Sequence, residues 1–282
     1  MKFFKYHGAG NDFVLIDNRD GQITEEEQPD LAIQLCDRRF GIGGDGLILV
    51  ETSDKADAKM RIFNPDGSEP QMCGNGLRCA AKHIHDAGTE KGEISIETLA
   101  GTKNVQVSKE DGITYVRVNM GKPLLERKDI PATGEGRLLK ERLEADGEEV
   151  EIYAVNTGVP HVVIFVEDVE EADVINIGRA VRNSTLFPEG ANVNFLEITC
   201  ANLFKIRTYE RGVEDETLAC GTGITAAGVI SVIAGEADPE GPIEIIARGG
   251  TVYVEVEMKG IEIETAFMRG PAELVFEGEI DV

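Results

Sequence analysis

Two short stretches decide how this chain is read: Cys73-Gly74-Asn75-Gly76 and Cys220-Gly221-Thr222-Gly223. Each cysteine opens an apolar pattern with helical spacing. After the first come Leu77, Ala80, Ala81 and Ile84, at the i, i+3, i+4, i+7 positions of one helix face. After the second come Ile224, Ala226, Ala227, Val229, Ile230, Val232 and Ile233, apolar nearly all round, which predicts a fully buried helix. Both patterns stop at an Ala-Gly pair, Ala87-Gly88 and Ala234-Gly235, where glycine suits a left-handed C-cap. The offset is the same at both ends, 220 − 73 = 147 and 235 − 88 = 147. Two helices of equal length, each headed by a cysteine, point to a duplicated chain with one thiol per half.

Working outward, the surroundings repeat too. Gly8-Ala9-Gly10-Asn11-Asp12 precedes the strand Phe13 to Ile16, and Asn156-Thr157-Gly158-Val159-Pro160-His161 precedes the strand Val162 to Val166. A helix over Pro29 to Arg39 is matched by one at about Val174 to Val181. The strand Lys59 to Phe63 ends in Asn64-Pro65-Asp66-Gly67 and delivers the chain to Cys73. The strand Phe204 to Thr208 ends in Tyr209-Glu210-Arg211-Gly212 and delivers it to Cys220. Residues 124 to 150 are charged and loosely patterned, and read as a solvated linker with one exposed strand or hairpin. Strands and helices do not alternate strictly, so a doubly wound parallel sheet is excluded. The expected fold is α+β. It has two pseudo-symmetric domains, each a mostly antiparallel β-sheet barrel wrapped around a central α-helix, with the active site in the cleft between them. The turn Gly41 to Gly46 lacks the order of a dinucleotide fingerprint and runs into a strand, so it is not one.

At 282 residues the chain has room for two domains. Its net charge of −24 argues against nucleic acid and anionic membrane as partners. Residues 1 to 12 lack the apolar core of a signal peptide, and the apolar runs are strand-sized. Five cysteines, an odd number without Cys-x-x-Cys spacing, fit free thiols in a reducing cytoplasm. Nothing in the pattern asks for a metal or for pyridoxal phosphate.

Cys36, Cys79 and Cys200 read as small buried hydrophobes. Cys73 and Cys220 are set apart by the Gly-x-Gly that comes directly after each. A Gly-x-Gly lets backbone approach a ligand. The free N–H groups of a helix's first turn form an anion site, and the same dipole end lowers a thiol pKa. A carbon between two acid/base residues can lose a proton to one and gain a proton from the other, which inverts a stereocentre. Amide donors and a dry cleft would stabilise the developing charge. The same two thiols could instead form a redox or sensor pair. Of the histidines, His83 and His85 read as structural or surface groups, His7 as either, and His161, beside a Pro turn, as a site residue.

With Asn64-Pro65-Asp66-Gly67-Ser68-Glu69, Met72 to Cys79, Gly8 to Phe13, Tyr209 to Gly212 and Ala219 to Gly223 in view, the chain resembles the diaminopimelate epimerase family along its whole length. The resemblance implies a cofactor-independent homodimer that converts LL-diaminopimelate to the meso form. It implies halves of residues 1–121 and 122–267, with the final strand, 268–282, packing back on the first. Cys73 and Cys220 would be the two bases. Gly74, Asn75, Gly221 and Thr222 would hold the α-carboxylate. Asn11, Asn64, Asn192 and Arg211 would read the remaining amino and carboxylate groups. Glu210 would receive the ammonium or support the chemistry, and His161 would tune it. Two positions depart from some members, Gly46 where they carry glutamine and Val159 where they carry asparagine. The alternative is another racemase of this architecture, such as a proline-racemase-like enzyme.

Overall fold

The computed structural model describes residues 1–88 and 92–281 and divides into two compact units, Met1–Val118 with Gly270–Val282, and Asn119–Arg269.

The first unit begins with the hairpin β1 (Lys2–Gly8) and β2 (Asn11–Asp17). Helix α1 (Gln28–Cys36) then carries the chain to β3 (Gly46–Glu51), which lies parallel to β2. β3 pairs antiparallel with β4 (Ala58–Phe63). Helix α2 (Gly74–Asp86) crosses to β5 (Glu93–Thr98), parallel to β4, and β6 (Gly101–Glu110) and β7 (Ile113–Gly121) continue as hairpins. The β6–β7 turn, Asp111-Gly112, has both φ angles positive, the geometry that tight hairpins favour. Helix α1 is shorter than its apolar pattern suggested. The Asp37 carboxylate accepts from the N–H groups of Arg39 and Phe40 and turns the chain out of the helix.

The second unit repeats this order. The hairpin β8 (Glu141–Ala145) and β9 (Glu148–Asn156) leads to β10 (Pro160–Val166). Helix α3 (Val174–Arg182) crosses to β11 (Asn192–Cys200), parallel to β10, and β11 turns back into β12 (Leu203–Glu210). The short β13 (Asp215–Thr217) adds to β12. Helix α4 (Gly221–Ala234) crosses to β14 (Ile243–Ala247), parallel to β12, and β15 (Gly250–Lys259) and β16 (Glu262–Pro271) complete the meander. Each unit is therefore mostly antiparallel. A parallel join appears at each place where a helix crosses between neighbouring strands, as the direction of chain requires.

The central helices are enclosed. Helix α2 touches β1 to β6, and α4 touches the six corresponding strands β9, β10, β11, β12, β14 and β15. Ten of the thirteen residues of α2 and ten of the fourteen of α4 are buried. Burial at this level selects small side chains on the helix. Gly228 is an example, since a Cβ there would fall 2.6 Å from Val254 on β15. The C-terminal strand β17 (Glu273–Glu279) belongs to the first unit and pairs antiparallel with β1. The fully buried Arg78 of α2 donates from Nε to the carbonyl of Pro271 just before it.

Two expectations need correction. Residues 124 to 150 are more than a solvated face, because Ile130 and Leu138 are buried in the second unit's core. Their apolar side chains are few, and Leu125, Ile130 and Leu138 follow no helical or alternating period. Cys200 is exposed, because the end of β11 runs past the core through a register irregularity at Ile198–Cys200. Among the described residues no helix is long and apolar enough to cross a membrane.

Alanine at Gly228 would ordinarily favour a helix. Here the overlap with Val254 should make Gly228→Ala less stable by about 1–3 kcal/mol in denaturant unfolding.

Candidate active site

Cys73 is the N-cap of α2, with extended backbone at φ −135 and ψ 121. Its Sγ accepts from the N–H of Gly76 at 3.5 Å, and its carbonyl accepts from Leu77 at 2.8 Å. The amides of Gly74 and Asn75 form the first turn of the helix, where N–H groups precede the repeating intrahelical bonds. Asn11, at the head of β2, sits beside the thiol. Its Oδ1 accepts from Asn75 Nδ2 at 3.1 Å and lies 3.9 Å from the donating Cys73 Sγ. Its Nδ2 donates to Asp45 Oδ2 at 2.7 Å, which fixes the amide's orientation.

Asp45 is a residue that the sequence did not flag. It accepts from the Asp12 N–H at 3.2 Å and pairs with Arg38 at 2.7 Å. Arg38 also pairs with Asp12 at 2.5 Å, and Asp12 with the buried Lys5 at 2.5 Å. Burial pushes the Asp12 carboxyl up, but the hydrogen bonds and charges of Arg38 and Lys5 outweigh it and hold its pKa at about 2. The loop from Gly41 to Gly46 thus anchors Asn11 through ion pairs. No local spacing signals a partner 34 residues away. Gly46 itself is closely packed, since a Cβ there would lie 2.8 Å from the Phe63 carbonyl. A glutamine would require β3 to shift. Asn64 lies apart from this network, exposed in the turn after β4, where its amide donates to Ser68 Oγ at 2.9 Å.

In the second unit Cys220 caps α4 with φ −112 and ψ 109, and is buried. Its Sγ lies 3.4 Å from Thr222 Oγ1, and the Thr222 carbonyl accepts from Thr157 Oγ1 at 2.8 Å. The amides of Gly221 and Thr222 head the helix as those of Gly74 and Asn75 do. Asn192 at the start of β11 is buried. It donates to the Pro160 carbonyl at 3.1 Å and accepts from the Arg211 N–H at 2.9 Å. The Arg211 guanidinium is braced by the carbonyls of Glu189 and Gly190 at 3.0 and 3.1 Å. Glu210 accepts from Thr217 Oγ1 at 2.9 Å.

His161, second in β10, is fully buried beneath the first turn of α4. A Cβ on Gly223 would lie 3.3 Å from Cys220 Cβ and 3.4 Å from His161 Cε1, and would overlap Asn194 Oδ1. Burial first, and the positive charge of Arg211 second, hold the His161 pKa at about 3, so the imidazole is neutral at physiological pH. His83 is also buried and joins Asp17 at 3.2 Å and Tyr6 at 3.4 Å, a structural link between α2 and the first hairpin. Among the described residues no group of three or more His, Cys, Asp or Glu side chains could hold a metal ion.

Linkage gives the Asp12 network a pH signature. Its folded pKa lies below the unfolded value of 3.8, so the stability it contributes is present above that value and is lost as pH falls toward 2. Asp12→Asn should be less stable at neutral pH and show a shallower loss between pH 4 and 2, followed by acid titration of near-UV circular dichroism.

The chain is similar to proteins of known name. The family model for diaminopimelate epimerase matches residues 3–125 and 153–275. A diaminopimelate epimerase from Methanothrix thermoacetophila is 46% identical over 281 residues, 99% of this chain and 96% of the relative. One from Archaeoglobus fulgidus is 43% identical over 279 residues, 99% and 95% of the two chains. Among solved structures, a PhzF-family phenazine biosynthesis protein from Bacillus anthracis superposes with a TM-score of 0.75 at 19% identity, covering 100% and 99%. A hydroxyproline epimerase from Agrobacterium vitis does so at 0.67 and 15%, covering 99% and 90%. At those identities the structures show a shared fold. The match along nearly the whole chain, at 43–46% identity, shows more: the chain belongs to the diaminopimelate epimerase family.

Proposed function

We propose that this protein is an isomerase that converts LL-2,6-diaminopimelate to meso-diaminopimelate in lysine biosynthesis, without a cofactor. The observation that carries the reading is the repeated arrangement of a cysteine capping an enclosed helix, once per unit, in a member of this family. Cys73 and Cys220 serve as the acid/base pair. In one direction the thiolate of one removes the α-proton, and the thiol of the other delivers a proton to the opposite face of that carbon. In reverse the roles exchange. The first-turn amides at Gly74-Asn75 and Gly221-Thr222 bind the α-carboxylate and take up charge as the carbon is deprotonated. Asn11, Asn64, Asn192, Glu210 and Arg211 bind the substrate's other charged groups. Arg211 suits a carboxylate, and Glu210 an ammonium. His161, being neutral, contributes as a hydrogen-bond donor and not as a cation.

The reading includes a cytoplasmic homodimer with no nucleic-acid partner, supported by the net charge of −24 and by the outer strand β17. Leu274, Val275 and Phe276 stand 43, 55 and 47% exposed there, consecutive residues on both faces of one strand. A second copy covering them fits the cost of leaving such an edge open. Phe276→Asp should give a monomer by light scattering, and an unchanged dimer would contradict this interface.

The test of function uses reduced, purified protein without added cofactor. Wild type should produce the meso isomer from LL-diaminopimelate by chiral chromatography. Cys73→Ala and Cys220→Ala should each lose about 10²–10⁴-fold in rate. Preference for a monocarboxylic amino acid would move the assignment to another racemase of this fold.

A further inference from the structure

The second unit buries a row of polar side chains running to His161, two of which the proposed reaction does not use. Asn194 on β11 and Thr208 on β12 are paired across the ladder, and both are buried, at 0 and 3% exposure. Thr208 Oγ1 donates to Asn194 Oδ1 at 3.0 Å. Asn194 Nδ2 donates to the Val162 carbonyl at 2.8 Å and lies 3.2 Å from His161 Nδ1. A carbonyl only accepts, so the atom facing Val162 is the amide nitrogen. The same nitrogen faces His161, whose Nδ1 must therefore accept. A neutral imidazole that accepts at Nδ1 carries its proton on Nε2. That Nε2 is buried and has no hydrogen-bond partner among the described residues.

The first unit shows that the fold does not need this row. Phe13 pairs with Gly46 there as His161 pairs with Asn192, and Ile48 pairs with Ile62 as Asn194 pairs with Thr208. Gly76 packs on Ile62 and Ile48 where Gly223 packs on Asn194 and His161. The corresponding positions are thus phenylalanine and two isoleucines in one unit, and histidine, asparagine and threonine in the other. Buried polar groups are costly unless bonded, so three of them at positions that accept hydrocarbon call for a role beyond packing.

We propose that Asn194, oriented by Thr208, is a positioning residue that locks His161 as the Nε2–H tautomer, so that a single neutral donor is held ready under the Cys220 helix. Its consequence for turnover rests on the epimerase reading, while the tautomer itself does not. A carboxylate at position 194 reverses the lock, because it accepts from Nδ1–H.

The test is nitrogen-15 NMR of histidine-labelled protein, with His161 assigned by its loss in His161→Gln. In wild type, Nε2 should show the protonated and Nδ1 the unprotonated signature, with no substrate present. Asn194→Asp should move the proton to Nδ1 or charge the ring, and lower kcat by about 10²-fold with KM within about threefold. If that variant fails to fold, Asn194→Ala gives the same test, since the loss of the amide should leave a mixture of tautomers. A wild-type proton on Nδ1, or a tautomer unmoved by both substitutions, would overturn the proposal. The wild-type tautomer as stated, in a protein without epimerase activity, would overturn the functional reading and leave the lock standing.

Discussion

A helix that starts inside a protein must find a use for the amides of its first turn. In α2 and α4 those amides lie among strands, behind a residue whose side chain is a thiol. Cysteine can cap weakly, as the 3.5 Å contact from Gly76 to Cys73 shows, and remain a nucleophile and acid/base group. The glycines after each cysteine are required by the strands beneath. Gly76 rests on Ile48 and Ile62, and Gly223 on Asn194 and His161. The tight seat of each helix on its strands thus holds the thiol and the first-turn amides in a fixed relation, and the rest of each unit is built to keep that seat.

The two units use this common frame differently. Around Cys73 the supporting groups are charged and partly exposed, running from Asn11 through Asp45 and Arg38 to Asp12 and Lys5. Around Cys220 they are neutral and buried, running from Thr208 through Asn194 to His161. The first network resists change through ion pairs, with the Asp12 carboxyl held well below the usual carboxylate range by Arg38 and Lys5. The second resists it through hydrogen-bond direction.

The frame was legible in the amino-acid sequence because its signals are local. Apolar spacing after Cys73 and Cys220, and the shared offset of 147, locate both central helices and the repeat. The parallel joins were not legible, since pairing between β2 and β3 depends on where α1 returns the chain. Asp45, Asn194 and Thr208 look like ordinary turn or strand residues. Only the ladder register brings Thr208 opposite Asn194, and only the loop's path brings Asp45 to Asn11. Cys200 failed the opposite way. Cysteine is commonly buried, but the strand that carries it runs past the core. Asn64 matched a family motif and is held within its own turn.

The central claim is that two different thiols handle the proton, one on each face of the carbon. Single-turnover reaction of α-deuterated LL-diaminopimelate in ordinary water tests it most directly, with the label read in the product by mass spectrometry. Two bases predict a product whose inverted carbon carries solvent hydrogen, while unreacted substrate keeps its deuterium. A product that retains the substrate's own deuterium would mean that one group removes and returns the same proton, and would contradict the account.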